Sequence, residues 1–437
     1  MRLKTLLLFT TLLLAFPSAA IAQARLSVDI YGAGQRTLNM VIVKPMGLDG
    51  TTPGPMAEEL DELIRTNLSF LPFIADVPQQ DLLGGAPATG VGVGDIDFRP
   101  LVLAKVDLIM TQGWRGDTVE LRVFETFNRR RLVGKAYNNL EAPLLPDVAD
   151  RFCGQFMKAL TGKGGFFEST LAFVKKVAGG KAKELFVVRP QGRGLRQITR
   201  LGGYNISPSW SKDGERLVFT HIDDDGHRLG VWDRETGKTV LKSYPGFTVV
   251  GPAFDPDGNV AVTLDKSGNP DIYLIDEDFR LGRRLAPSWA IEVSPNFDKS
   301  GRFMVFASGR LGNPHIFVLD KTAGTVQRVT MQGTYNTSPS LSPDGRFVTF
   351  SRQTASGHKI FVHDLATGRE RQLTFGPGDD EDPAFGPDGY FVAFSSNRGG
   401  GEEYHIYMTT RHGDAPMRVP TGRGSATMPA WDTANRF

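Results

Sequence analysis

Hydrophobic and polar residues alternate with period two in short runs through the carboxyl-terminal two thirds of the chain, and these runs recur at nearly constant spacing. One such run is Arg346-Phe-Val-Thr-Phe-Ser351, which follows Ser338-Pro-Ser-Leu-Ser-Pro-Asp-Gly345. Units of the same pattern stand at residues 207–214, 251–258, 294–301 and 382–389, and a shortened copy reads Met428-Pro-Ala-Trp-Asp432. Their prolines, at 208, 252, 295, 339, 383 and 429, lie 44, 43, 44, 44 and 46 residues apart. A repeat of this length that holds several strand patterns reads as a propeller blade.

Each part of the unit has a physical role. A proline lacks an N–H and is tolerated at the first residue of a strand or at an edge. The aromatic two residues later is a packing anchor. Asp-Gly supplies a tight hairpin turn, and the alternating run returns as a second strand. Third strands follow at Ile272-Tyr-Leu-Ile, Ile316-Phe-Val-Leu, Ile360-Phe-Val-His and Ile406-Tyr-Met, and fourth strands such as Arg371-Gln-Leu-Thr374 complete the unit. Lys299-Ser-Gly301 departs from Asp-Gly, which changes turn chemistry and leaves the fold intact.

The ends of the repeat region predict how the ring closes. Thr170-Leu-Ala-Phe-Val174, Glu184-Leu-Phe-Val-Val188 and Leu195-Arg-Gln-Ile-Thr199 fill strands two to four of a unit that lacks its proline-led strand. The orphan at 428–432 supplies it. The expectation is a six-bladed β-propeller over residues 168–437, closed by pairing of the carboxyl-terminal strand with the first blade, which removes exposed sheet edges.

Upstream the period changes. Leu60, Leu63, Ile64 and Leu68 fall at helical spacing within 56–71, and a closing helix is expected over 145–160. Strands are expected at 38–44, 106–112, 118–127 and 131–137. Residues 37–161 therefore read as an α/β domain, with 162–167 as the linker. Before it, Leu26, Val28 and Ile30 alternate with Arg25, Ser27 and Asp29, either as an edge strand or as a free tail of strand-like pattern.

The first residues add a different signal. Arg2 and Lys4 precede an apolar run of eleven residues, 6–16, which leads into Ala20-Ile21-Ala22-Gln23-Ala24. This reads as a secretory signal peptide over 1–22, with a second cleavage site at 24. The run is short of the roughly 20 residues that a spanning helix needs. Loss of Arg2 and Lys4 takes the formal charge from +2 to about zero and leaves no basic block for nucleic acid. The 50 glycines and 27 prolines fit a turn-rich β fold, and the single cysteine, Cys153, excludes an intrachain disulfide.

Candidate chemistry is sparse. No G-x-S-x-G nucleophile elbow occurs. Gly237-Lys-Thr239 lacks the upstream glycine of a phosphate loop, because position 232 is tryptophan, and Gly90-Val-Gly-Val-Gly94 reads as a mobile loop. Asp223-Asp-Asp-Gly226 and Asp379-Asp-Glu-Asp382 read as solvated turns; the alternative is a cation site or a charged rim for a partner. The seven histidines lack paired ligand spacing, and His315, His363 and His405 read as structural. Cys153 reads as a buried small hydrophobe.

An export signal, a leading segment Ala24-Arg-Leu-Ser-Val-Asp-Ile-Tyr-Gly32, an α/β domain and S-P-x-W-S-x-D-G-type blades ending in Met-Pro-Ala-Trp together resemble the TolB family. These are periplasmic components of the Tol-Pal system of Gram-negative bacteria. The resemblance spans the whole mature chain. It implies a non-enzymatic periplasmic adaptor without a cofactor, although the ring channel could hold a cation such as calcium. In the family the propeller face binds the lipoprotein Pal and the leading segment binds TolA, supporting outer-membrane integrity and invagination at cell division; other outer-membrane proteins are further candidate partners. The TolA-binding residues would be Arg25, Leu26, Val28, Asp29, Ile30 and Tyr31.

The loops before each first strand and between strands two and three should crowd one face. The expected Pal contacts there are Tyr204, Asn205, Thr248, Val249, Glu292, Tyr335, Asn336, Asp380, Glu381 and Thr427. Val249-Val250 and Ile291-Glu292-Val293 are more apolar than the family's polar loops. Two other readings compete. A periplasmic propeller enzyme acting on polysaccharide would need histidines and acids converging on the channel, and here they are scattered. A carbohydrate-binding scaffold would need stacking aromatics on the ring face, for which Tyr204 and Tyr335 alone stand.

Overall fold

The structure is a computed structural model that describes residues 37–434, apart from 178 and 267. The signal peptide and the leading segment with Arg25, Leu26, Val28, Asp29, Ile30 and Tyr31 lie outside the described residues.

The amino-terminal unit is a six-stranded sheet covered by helices. Its strands are β1 (Leu38–Ile42), β2 (Met46–Gly47), β3 (Ile74–Asp76), β4 (Leu108–Arg115), β5 (Thr118–Glu125) and β6 (Arg130–Tyr137). The order is β3-β1-β4-β5-β6, with β2 also pairing β4. Strand alternation assigns the two faces: Met40 and Ile42 join the core under α1 (Pro55–Ser69) and α3 (Leu145–Thr161), whereas Val41 and Val43 face α2 (Phe98–Leu103). The expected helices and strands are all present, with ends shifted by a few residues. The stretch 90–94 is a packed loop: Val91 is buried, its carbonyl accepts from the Thr111 hydroxyl, and a Cβ on Gly90 would strike Asp95. Gly90 and Gly92 closely approach the Asp95 carboxylate, whereas a Cβ on the exposed Gly94 would meet nothing within 4 Å.

Residues 168–434 form blade-like sheets. Four separate four-stranded antiparallel sheets follow an eight-stranded one, in which β7 (Leu171–Lys176), β8 (Lys183–Val188), β9 (Arg196–Gln197) and β10 (Tyr204–Trp210) take part. The last strand, Ala426–Trp431, pairs antiparallel with β7, Trp431 lying opposite Leu171. The proline-led strands line the middle. β10 touches Thr248–Phe254, contacts pass on strand by strand to Asp380–Phe385, and Ala426–Trp431 touches both that strand and β10.

A register shift interrupts each proline-led strand at the same place. There the residue before the proline is left-handed: Ser207, Ser294, Ser338, Asp382 and Met428 have φ from 49° to 58°, and Gly251 has 52°. Such a bulge costs a non-glycine residue about 1–3 kcal/mol, so its recurrence means that surrounding contacts enforce it. Some of those contacts cross between sheets. Ser209 Oγ, Asn296 Oδ1 and Ser340 Oγ accept from the backbone N–H of Phe254, Leu341 and Phe385. This is the use of the polar residue after the proline; the copies with alanine there, Ala253, Ala384 and Ala430, have no polar side chain to offer. In the turn that departs from Asp-Gly, Asp298 accepts from the N–H groups of Ser300 and Phe303, and Gly301 keeps φ at 74°.

One hydrophobic core runs through both units. Phe152, Phe156 and Leu160 of α3 continue into Phe166, Phe167, Phe173, Phe391 and Trp431. Phe166 stacks on Phe391 with centroids 4.0 Å apart, and Phe73 meets the edge of Tyr390. Gly162 caps α3 and is exposed, Lys163 pairs with Asp344 at 2.7 Å, Gly165 sits on Pro387, and Phe166 and Phe167 are buried, so the expected linker touches the sheets from residue 163 onward. Beside the hydrophobic seam, buried Asp150 takes ion pairs from Arg189 and Arg193 and a 2.8 Å hydrogen bond from Asn67.

Candidate functional site: the open face of the propeller

The helical unit meets the sheets where the proline-led strands end. Asp344, Pro387 and Tyr390 lie in turns that follow those strands, and Arg189 and Arg193 lie in the β8–β9 turn on the same side. The side on which the proline-led strands begin is left to solvent, and all ten expected contact residues lie at these strand starts.

The structure divides them into two groups. Asn205, Val249, Glu292, Asn336 and Asp380 are completely buried. They occupy one repeated position, each opposite a residue of the neighbouring strand: His221, Leu264, Ser308, Arg352 and Ser396. Pleating turns this position inward, and four of the five side chains are polar, so each needs partners. Asn205 Oδ1 accepts from His221 Nδ1 at 2.8 Å, and Asn205 Nδ2 donates to Glu184. Asn336 accepts from Arg352 Nε at 2.7 Å. These five expected contacts are therefore buried side chains that serve the framework beneath the strand starts.

Two acids repeat a common triad. Ser308 donates to Glu292 at 2.9 Å, and Arg310 bonds both Ser308 Oγ and Glu292. In another sheet Ser396 donates to Asp380 at 2.6 Å, and Arg398 bonds both. Burial raises the Glu292 carboxyl above its usual range, while Ser288, Ser308 and Arg310 oppose that shift. The signal for this triad is in the sequence, as Ser-x-Arg at the end of the second strand with an acid at the start of the first, and it was not read there.

Tyr204, Thr248, Tyr335, Glu381 and Thr427 reach the surface to varying degrees, with Tyr204 and Tyr335 about 40% exposed at 42% and 40%. Tyr335 lies by the His358 ring, and His358 Nδ1 is 3.1 Å from Glu381 Oε1. The acidic stretch 379–382 is not the solvated turn expected, because Asp380 is buried against Lys359 and Arg398. Asp382 lines the middle of the ring, where burial and then Glu381 raise its carboxyl to about 6. Asp223-Asp-Asp-Gly226 is a hairpin tip, with Asp223 paired to His221 and Arg228.

Of the exposed apolar residues of the same face, the sequence reading singled out Val250 and Ile291 and missed the others. Trp289, Ile291, Met331 and Phe375 sit in loops before a proline-led strand, and Leu311 ends a second strand at its hairpin tip. Their signal was large apolar side chains at loop positions of the repeat.

The central cavity is about 250 Å³ and is lined by all the proline-led strands. Among the described residues, no group of three or more His, Cys, Asp or Glu could hold a metal ion. His315 bonds Arg328 and Asn336, and burial and then Arg328 lower its pKa, consistent with a structural role. Cys153 is buried, and burial pushes its thiol pKa upward, away from reactivity. No helix among the described residues is long and apolar enough to cross a membrane.

Residues 157–435 match the family described as TolB beta propeller domain. The chain belongs to the TolB family. The Tol-Pal system protein TolB of Nitratidesulfovibrio vulgaris is 48% identical over 312 residues, 70% of each chain. A protein TolB homolog of Chlorobium luteolum is 29% identical over 300 residues, covering 68% of this chain and 67% of its own. The crystal structure of TolB from Acinetobacter baumannii superposes with a TM-score of 0.78 at 22% identity, covering 92% of this chain and 98% of that one, a likeness of fold. Membership of TolB gives the chain a Tol-Pal role, carried out through protein partners and without enzymatic activity.

Proposed function

We infer that the chain is a periplasmic adaptor of the Tol-Pal system, which binds Pal on the open ring face and TolA through residues 23–34, and so supports outer-membrane integrity and invagination during division. The observation that carries this reading is the asymmetry of the ring. One side is covered by the chain's own helices and linker, whereas the other presents Tyr204, Tyr335 and several large apolar side chains to solvent. Apolar surface gathered on one face fits a protein partner. The contact set is narrowed to Tyr204, Thr248, Tyr335, Glu381 and Thr427, with no cofactor required.

The eight-stranded sheet is read as two blades joined by the single parallel bridge Tyr204–Lys183, which makes six blades with Ala426–Trp431 as the closing strand. Support comes from the ends of that strand. Asp432 N–H donates to Thr170 O at 2.9 Å, and Asp432 pairs with Arg234 at 2.9 Å.

Binding of the mature chain to the lipid-free domain of its cognate Pal and to the periplasmic part of TolA, with and without residues 23–34, tests the reading. Full-length chain is expected to bind both and the deletion only Pal. Binding of neither would overturn it, and loss of both on deletion would overturn the separation of the two sites.

A further inference from the structure

The α/β unit has two unlike sides. Its α1 and α3 side shares one core with the sheets, whereas every residue of the smaller core beneath α2 comes from the α/β unit itself. The propeller contributes nothing there, and that side holds large apolar side chains in solvent: Leu103 is 76% exposed, Phe127 55% and Val102 41%.

These residues are fastened together. Phe127 lies in the β5–β6 turn, which is tied to the chain just past α2: Thr126 N–H donates to Asp107 O at 3.0 Å, and the Thr126 hydroxyl donates to Val106 O. Lys105 and Val106 fold back on α2, their N–H groups donating to Val102 O at 3.1 Å and Leu101 O at 2.9 Å. At the far end of the turn, Arg129 lays its guanidinium over the Phe98 ring, 5.6 Å from the centroid and one helical turn from Val102. Turn and helix end therefore make one tip.

Cations ring that tip. Lys105, Arg129 and Arg131 are exposed, and no carboxylate among the described residues lies within ion-pair distance of them. Arg131 stands opposite Phe124 of the α2 core, so it belongs to the same face. The nearby carboxylates are engaged elsewhere: Asp97 by Arg99 at 2.9 Å, Glu125 by Arg130 at 2.7 Å, and Asp107 by the Asn39 N–H at 2.9 Å. The surplus is felt at Asp97, whose carboxyl is held below its usual range by Arg99 and then by Arg129.

We propose that this tip, Val102, Leu103 and Phe127 ringed by Lys105, Arg129 and Arg131, docks the chain on an anionic phospholipid surface. The unmatched cations select a surface dense in negative charge, and a bilayer supplies beneath that charge an apolar layer for Leu103 and Phe127. The proposal goes beyond the adaptor reading and shares with it only the periplasmic placement. Because the α/β unit sits on the side of the ring away from the open face, lipid and a partner on that face would not compete.

Sedimentation of the mature chain with vesicles of phosphatidylglycerol and phosphatidylethanolamine, against vesicles of phosphatidylcholine alone, tests it. Binding is expected to the anionic vesicles only, and should weaken as salt is added. Lys105→Gln and Arg131→Gln should each weaken it about fivefold, and Leu103→Ser and Phe127→Ser at least as much. Val240→Ser, at an exposed position on an outermost propeller strand, is the control and should match wild type. All five side chains are exposed, so unchanged melting temperatures verify the fold. Absence of binding to the anionic vesicles, or binding that Lys105→Gln and Phe127→Ser leave unchanged, would overturn the proposal. A concentration-dependent dimer that Phe127→Ser disperses, in place of vesicle binding, would assign the tip to a second copy and overturn it as well. None of these outcomes touches the Pal and TolA reading, which is measured without lipid.

Discussion

The indole N–H of Trp431 donates to the Ser169 hydroxyl at 2.6 Å, joining residues 262 positions apart. Trp431 is also packed near Phe166, so the last strand is part of the core that the α/β unit shares with the sheets. Trp431→Ala should destabilise the protein by about 3–5 kcal/mol through the cavity and the lost bond, read from the denaturant midpoint. Trp431→Phe should lose clearly less. If the alanine variant unfolded like wild type, the carboxyl-terminal strand would not belong to the core.

Asp150 is the hub of the polar seam between the two units, holding Arg189, Arg193 and Asn67. Asp150→Ala leaves the partly buried Arg193 without its carboxylate and Arg189 with Asp147 alone, and should cost about 3–5 kcal/mol. Thermal unfolding would show whether the two units then melt separately, which is the expected outcome where the seam is what couples them.

Asp388 is buried and accepts from the N–H groups of Tyr390 and Phe391, and burial raises its carboxyl from 3.8 to about 6. Between those values the folded chain keeps a proton that the unfolded chain releases. Its contribution is therefore fully present below pH 3.8 and is lost as pH rises through about 6. Asp388→Asn should gain stability relative to wild type as pH climbs from about 4 to 7, at about 1.4 kcal/mol per pKa unit. Denaturant melts across that range check it, and a difference independent of pH would contradict the raised carboxyl.

Gly251 takes the left-handed bulge that serine, aspartate or methionine occupies in the other copies, and a Cβ there would meet nothing within 4 Å. Gly251→Ala should cost only the backbone term, about 1–2 kcal/mol. At Gly203 the φ is 57° and a Cβ would lie 2.2 Å from Ile222 O, so Gly203→Ala should cost considerably more. Equal melting temperatures for the two variants would contradict this geometry.

The blades were legible because their cues are local. Proline, aromatic and Asp-Gly recur at fixed offsets, and each strand shows its alternation within six residues. The contact surface was legible only coarsely. Asn205, Asn336 and Asp380 look like loop polar groups in the sequence, yet they are buried because the pleat at the start of each proline-led strand turns that position toward His221, Arg352 and Ser396. Trp289 looks like core in composition and lies outside.

By itself the sequence determined the repeat, the strand order within each unit, the α/β unit with its helices, and the pairing of the carboxyl-terminal strand with Leu171–Lys176. These follow from periodicity and turn chemistry, which act over a few residues. Only the tertiary structure decided which face stays open, which polar residues form the framework triads, and that the joint at 162–167 touches the sheets through Lys163, Gly165 and Phe166. Those outcomes depend on contacts such as Phe166 with Phe391, Lys163 with Asp344 and Asp150 with Arg193, between residues far apart in the chain. No local pattern encodes such pairs, since their free energy exists only once the units have met.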